Sequence, residues 1–161
     1  WSAPLAAQLG HRVPLDTERG YHLMLPQPAR RPLRPIMYSR RRFVICPMEE
    51  GLRLTGCVEF AGLERGPDYR RIEQLLPFVS SILPGLDTRI ESRWLGYRPS
   101  LPDGVPVIDS AGAGRVVFAF GHGHLGMTQG PATARAVMAL LEGSAPPFPL
   151  APFRISRFAG R

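Results

Sequence analysis

Val116-Val117-Phe118-Ala119-Phe120 is followed by Gly121-His122-Gly123-His124-Leu125-Gly126-Met127-Thr128-Gln129-Gly130, and then by Pro131 to Leu141. No other stretch restricts the fold so tightly. Five apolar residues bounded by a glycine suit a strand buried on both faces. Pro131 suits a first helical turn, where a missing N–H costs nothing. Val137, Leu140 and Leu141 recur at helical spacing, and Gly143 is a natural stop. Between strand and helix, four glycines allow backbone N–H groups to approach a ligand closely. A helix N-terminus adds partial positive charge there. The stretch therefore reads as a site for an anion or an electron-rich ring edge.

Gly121, Gly123 and Gly126 also match G-x-G-x-x-G letter for letter. A dinucleotide fingerprint needs a further strand after the helix, ending in an acidic residue. Here Glu142-Gly143 leads into Ala145-Pro146-Pro147-Phe148-Pro149. No such strand is expected, and a nucleotide-binding first turn is not the reading. A plain strand-to-helix turn would account for one or two glycines, but not for two histidines interleaved among them.

The 161 residues suffice for a real core. No apolar run approaches a membrane span, and the first residues lack the pattern of a signal peptide. Net charge is +7, with every basic residue an arginine. Arg30-Arg31 and Arg40-Arg41-Arg42 are short clusters; the rest are scattered with no accompanying nucleic-acid motif, so nucleic acid is not an expected partner. Cys46 and Cys57 are expected as buried free thiols, and no Cys/His spacing suits a metal.

In chain order, Ser2 is a candidate cap for a short helix running to Leu9. Strands are expected over 20–25, 36–39, 42–47, 52–60, 88–97 and 105–108. Glu49-Glu50-Gly51 is the expected hairpin turn, and Pro26 to Pro35 a loop. In the strand from Leu52, alternation puts Leu52, Leu54, Gly56, Val58 and Phe60 on one buried face. Asp68 to Leu83 has helical periodicity, with Pro77 kinking or breaking it. Pro102-Asp103-Gly104 signals a turn, which makes Asp103 a turn residue before anything else. The proline-rich tail reads as an extended arm packed through Ile155. The fold class is α+β: a largely antiparallel sheet with a helix packed on it, plus a C-terminal strand–loop–helix unit that looks made for a sheet this chain lacks.

Four motifs in order carry a resemblance: Val13-Pro14-Leu15-Asp16-Thr17-Glu18-Arg19-Gly20-Tyr21-His22; Gly51-Leu52-Arg53-Leu54-Thr55-Gly56 with Glu59-Phe60; Trp94-Leu95-Gly96-Tyr97-Arg98-Pro99 with Pro102-Asp103-Gly104-Val105-Pro106-Val107-Ile108; and Gly121 to Gly126 with Gly130-Pro131-Ala132-Thr133. Together they resemble the later part of bacterial D-amino-acid dehydrogenases, in the FAD-dependent group that also holds glycine oxidase and D-amino-acid oxidase. The resemblance implies hydride removal from the α-carbon of a D-amino acid, giving an imino acid that hydrolyses to a 2-oxo acid and ammonia. It implies a C-terminal fragment: a substrate domain over 1–115, the last β–α unit of an FAD domain over 116–143, and a proline-rich arm over 144–161. A preceding FAD domain would be the fragment's partner, and the fragment alone is expected to be inactive. The implied setting is cytoplasmic, with peripheral attachment to the inner membrane left open, as is pairing with a second copy.

By the same resemblance Arg98 grips the substrate carboxylate. A guanidinium does this with two parallel charge-assisted hydrogen bonds. Gly121, His122, Gly123, Gly126, Met127 and Thr128 would contact the flavin, the last three residues through N–H groups facing its N1–C2 carbonyl edge. His122 would brace the loop. Tyr21, His22 and His124 are candidates for lining the substrate; Tyr21 and His22 would serve equally as a core tyrosine and a strand histidine. No side chain is assigned as a catalytic base, because the substrate's neutral amine can suffice. A flavin-free α+β module binding small carboxylates or a protein partner is the alternative.

Overall fold

The structure, a computed structural model, describes residues 1–159. The chain forms two units: 18–97, and 1–17 together with 98 onward. The division does not fall at 115, where the sequence suggested a domain boundary. The reason is that the strands flanking residue 115 pair with each other and stay in one unit.

The unit 18–97 is built on a sheet. Its strands are β1 (Asp16–Leu25), β2 (Ile36–Tyr38), β3 (Phe43–Met48), β4 (Gly51–Glu59) and β5 (Ser92–Ser100), in the order β2-β3-β4-β1-β5. β2/β3, β3/β4 and β4/β1 are antiparallel. β3 and β4 are joined by the expected hairpin turn. At that turn a Cβ on Gly51 would collide with the Leu25 carbonyl, so glycine is required. One helix was expected over 68–83. Two short ones form instead, α2 (Arg70–Glu73) and α3 (Leu76–Ile82), because Pro77 occupies the first turn of α3 and cannot donate into a preceding turn. Ile72 and Val79 from these helices pack against Tyr21, Leu23, Leu25, Phe43, Ile45, Leu52 and Leu54. Each such fully buried aliphatic side chain stabilises the fold by roughly 1.5–3 kcal/mol.

The alternation expected along 52–60 holds only halfway. Leu52 and Leu54 are buried, but Val58 and Phe60 are exposed and Glu59 is buried. The register explains the switch. Tyr21 pairs with Cys57 while His22 pairs with Thr55, so Gly56 is an extra residue, a β-bulge that reverses which side chains point inward. Gly56 has φ +153°, and a Cβ there would lie 2.6 Å from the Arg42 carbonyl oxygen. The bulge aims Glu59 at Arg19, which is fully buried, with Arg19 Nε 3.3 Å from Glu59 Oε2. Arg19 also donates to the carbonyls of Arg65 (2.7 Å) and Gly66 (3.0 Å).

The other unit contains α1 (Ser2–Gln8), the antiparallel pair β6 (Val107–Ala111) and β7 (Val116–Phe120), and α4 (Gly126–Glu142), with 3-10 turns at Gly123–Leu125, Ala151–Phe153 and Ile155–Phe158. Ser2 lies inside α1 and does not cap it with its side chain. Ala6, Leu101, Val107, Phe118, Ile155 and Phe158 form the core. The tail is thus packed through Ile155 as expected, but in 3-10 turns and not extended. Its Ile155 N–H donates to Asp109 (2.9 Å), and Arg157 Nε donates to Asp103 (2.8 Å). Asp103 also accepts from the Val105 N–H, as a turn residue should. Within this chain β7 is not buried on both faces: Phe118 is buried and Ala119 exposed. Cys46 and Cys57 are free but only partly buried, not buried as expected; they sit opposite Arg53 and Tyr21 on β4 and β1, not opposite each other.

Candidate functional site

α4 begins at Gly126, five residues before the expected Pro131 start, so Pro131 lies inside the helix. The hydrogen bond lost to Pro131 would have run to the Met127 carbonyl in the open first turn, where Met127 is almost fully exposed and water can replace it. The early start puts the N–H groups of Gly126, Met127 and Thr128 in the first turn, where an α-helix supplies no partner. Leu125 stands at the N-cap and provides no side-chain hydrogen bond. These residues follow directly on the 3-10 turn Gly123–Leu125, and the helix dipole adds partial positive charge at this end of α4.

The glycines of the loop have different jobs. Gly121 (φ +83°) and Gly123 (φ +54°) hold left-handed backbone, and a Cβ on Gly121 would lie 2.5 Å from Leu101 Cδ1. Gly126 does not need glycine for its conformation: its φ is −54°, and an added Cβ would meet only His122 Cβ at 3.6 Å. Nothing among the described residues demands glycine at 126.

His122 is half-buried, and its Nε2 lies 3.0 Å from Thr133 Oγ1 on α4, which braces the loop against the helix. Burial holds its imidazole below the usual pKa, so it is neutral at pH 7. His124 is exposed.

Arg98 emerges from β5 with Nη1 buried and without a hydrogen-bond partner among the described residues. Ser100, two residues on and hence on the same face of the strand, has its Oγ in the same condition, 3.4 Å from where a Cβ of Gly123 would sit. Gln129 Oε1, in the opening turns of α4, is a third such atom. Buried polar atoms are rarely left unpaired in a folded protein. Three of them lie on β5 and α4, and of these Ser100 directly approaches the glycine loop, at Gly123. Ser100 and Gln129 were not picked out by sequence reasoning. For Ser100 the available signal was its i+2 relation to Arg98; for Gln129 there was none.

Tyr21 and His22, in the unit 18–97, go to opposite faces of the sheet. The Tyr21 hydroxyl donates to Glu59 (2.6 Å) and accepts from Arg19 (3.3 Å) and from the Asp68 N–H (3.2 Å). That leaves it no spare capacity for a ligand, and its surroundings are those of a core tyrosine. Burial, and then Glu59, raise its pKa. His22 stacks on Trp94, with ring centroids 4.8 Å apart. Burial, and then the Arg53 charge, lower its pKa. The described residues contain no group of His, Cys, Asp and Glu able to hold a metal, and no helix long and apolar enough to cross a membrane.

Known proteins similar to this chain in sequence or in fold place it in context. A D-amino-acid oxidase from Bradyrhizobium diazoefficiens is 44% identical over 98% of the chain, and a D-amino acid dehydrogenase from Cereibacter sphaeroides is 32% identical over the same share. The chain spans about 38% of the length of the curated relatives it matches. Among solved structures, glycine oxidase from Geobacillus kaustophilus superposes with a TM-score of 0.80 at 24% identity, over 99% of this chain and 44% of that one. An L-amino acid deaminase from Proteus vulgaris gives 0.82 at 15% identity, over 98% of this chain and 50% of that one. At those identities the structures speak for the fold alone. The model of the family described as FAD dependent oxidoreductase (DAO) matches residues 1–140, from α1 through β7 and the glycine loop into α4, and the chain belongs to that family.

Proposed function

We propose that the whole protein is an FAD-dependent oxidoreductase that converts D-amino acids to imino acids, which hydrolyse to 2-oxo acids and ammonia. The observation that carries the reading is the buried, unpartnered Nη1 of Arg98, on the strand face that Ser100 shares against the glycine loop. The 44% identical relative is a D-amino-acid oxidase. FAD, when bound, supplies the hydride acceptor. The chain's own contributions are binding and orientation. Arg98 takes the substrate carboxylate in two charge-assisted hydrogen bonds and so orients the α-carbon. The N–H groups of Gly126, Met127 and Thr128 and the α4 dipole favour negative charge on the ring edge they face. Gly121 and Gly123 shape that approach, His122 braces it through Thr133, and His124, exposed beside it, is a secondary substrate contact. The chain need supply no base, because the neutral amine of the substrate already lets hydride leave.

The test is Arg98→Ala in the whole protein. Removing one side of a buried charge pair costs ~2–5 kcal/mol, which is orders of magnitude in KM for amino acids. Flavin content should stay normal, and Arg98→Lys should recover only part, since an ammonium lacks the fork. Amines without a carboxylate should be hurt far less. Equal losses for amino acids and simple amines would show that Arg98 holds the fold and not the substrate.

A further inference from the structure

The face of the β2-β3-β4-β1-β5 sheet opposite Ile72 and Val79 carries a cavity of about 610 Å³ that none of the roles above uses. His22 and Met24 of β1, Met48 of β3, Arg53 of β4 and Ser92 of β5 line it, with Arg31 from the loop before β2. Its size is that of a small-molecule site. Arg53 is the unusual member. It is half-buried, pairs across the sheet with Met24 on one side and Cys46 on the other, and has its Nε buried with no hydrogen-bond partner. It makes no salt bridge among the described residues. A buried N–H donor without an acceptor is costly, and the cavity beside the Arg53 Nε is where an acceptor would sit. Glu49 and Glu50 also line the opening, but both are exposed at the β3–β4 turn, where water screens them from a ligand held deeper in. His22 adds no charge at neutral pH and presents a ring fixed by its stack on Trp94.

We propose that this cavity is a carboxylate-binding subsite, with Arg53 as its principal contact; Arg31, exposed like Glu49 and Glu50, is screened by water as they are. The carboxylate has two sources: the side chain of an acidic amino-acid substrate, or a separate small acid. The subsite itself does not depend on the oxidation reaction.

The first measurement is a titration of the ¹⁵N-labelled whole protein with acetate and with glutarate, following the Arg53 Nε–H signal. It is made in an Arg98→Ala background so that the other guanidinium does not contribute. Saturable movement of the Arg53 signal is expected, with affinity at least about tenfold weaker in Arg53→Gln and partly restored in Arg53→Lys. Arg53 has no protein partner to lose, so Arg53→Gln should fold; a matching amide spectrum verifies this. The second measurement compares kcat/KM for D-glutamate with that for D-glutamine, with Arg98 intact. A fall in that ratio in Arg53→Gln assigns the carboxylate to the substrate's side chain. An unchanged ratio together with Arg53-dependent glutarate binding assigns it to a separate acid. No carboxylate binding that depends on Arg53 overturns the proposal. Absence of any D-amino-acid oxidation overturns the proposed function and leaves the titration readable.

Discussion

Gly121 and Gly126 stand in one motif but respond oppositely to substitution. Gly121→Ala forces a left-handed backbone and a contact with Leu101, and should destabilise the protein by roughly 1–3 kcal/mol in denaturant unfolding. Gly126→Ala keeps a helical φ and meets no close atom, so the flavin-free protein should be unchanged or stabilised by up to ~1 kcal/mol. The same variant should hold FAD less tightly, because a methyl group then stands beside the N–H groups proposed to face the ring. Unaltered flavin affinity would remove Gly126 from the proposed contact. His22 and His122 set a pH dependence. Both folded pKa values lie below the ordinary 6.5, through burial and, for His22, also Arg53. Below 6.5 the unfolded chain therefore binds protons that the folded one refuses. Their stabilisation is complete above pH 6.5 and is lost as pH falls through the folded values. Urea midpoints measured at pH 7.5 and 5.5 should differ less in His122→Gln than in the parent chain.

Among the elements, β4 shows how a single glycine redirects a strand. Before Gly56 the even-numbered leucines face the core; after it Glu59 does, meeting Arg19 and Tyr21. Glu59→Gln leaves the fully buried Arg19 without a counter-charge, and such a loss typically costs ~3–5 kcal/mol. Tyr21→Phe removes one donor and one acceptor and should cost ~1–3 kcal/mol, since the Asp68 N–H loses its partner. KM for amino acids should be unmoved by Tyr21→Phe. A large rise in KM would return Tyr21 to the substrate.

For the molecule as a whole, the chain of residues 1–161 by itself should not retain stoichiometric FAD. Its G-x-G-x-x-G letters lie in a loop followed by α4, after which the described residues contain no strand to complete a dinucleotide fold. A full flavin absorption band on the purified chain would refute this.

Local chemistry was enough to read the Glu49-Glu50-Gly51 hairpin, the Pro102-Asp103-Gly104 turn, β7 and the helix after it, because turn residues and periodicity act over a few positions. Arg98 is singled out by the resemblance its motif carries, not by local chemistry alone. Three features were decided only by tertiary structure. The bulge at Gly56 exists because of how β4 registers on β1, and no periodicity within β4 reveals that. The burial of Arg19 depends on carbonyls 46 and 47 residues away, and a charged residue in an alternating strand reads as solvent-facing until those partners are in place. Arg53 looked like an ordinary outward arginine opposite a buried face. Only the assembled sheet, bringing His22, Met24, Met48 and Ser92 around it, turned that outward position into the wall of a cavity.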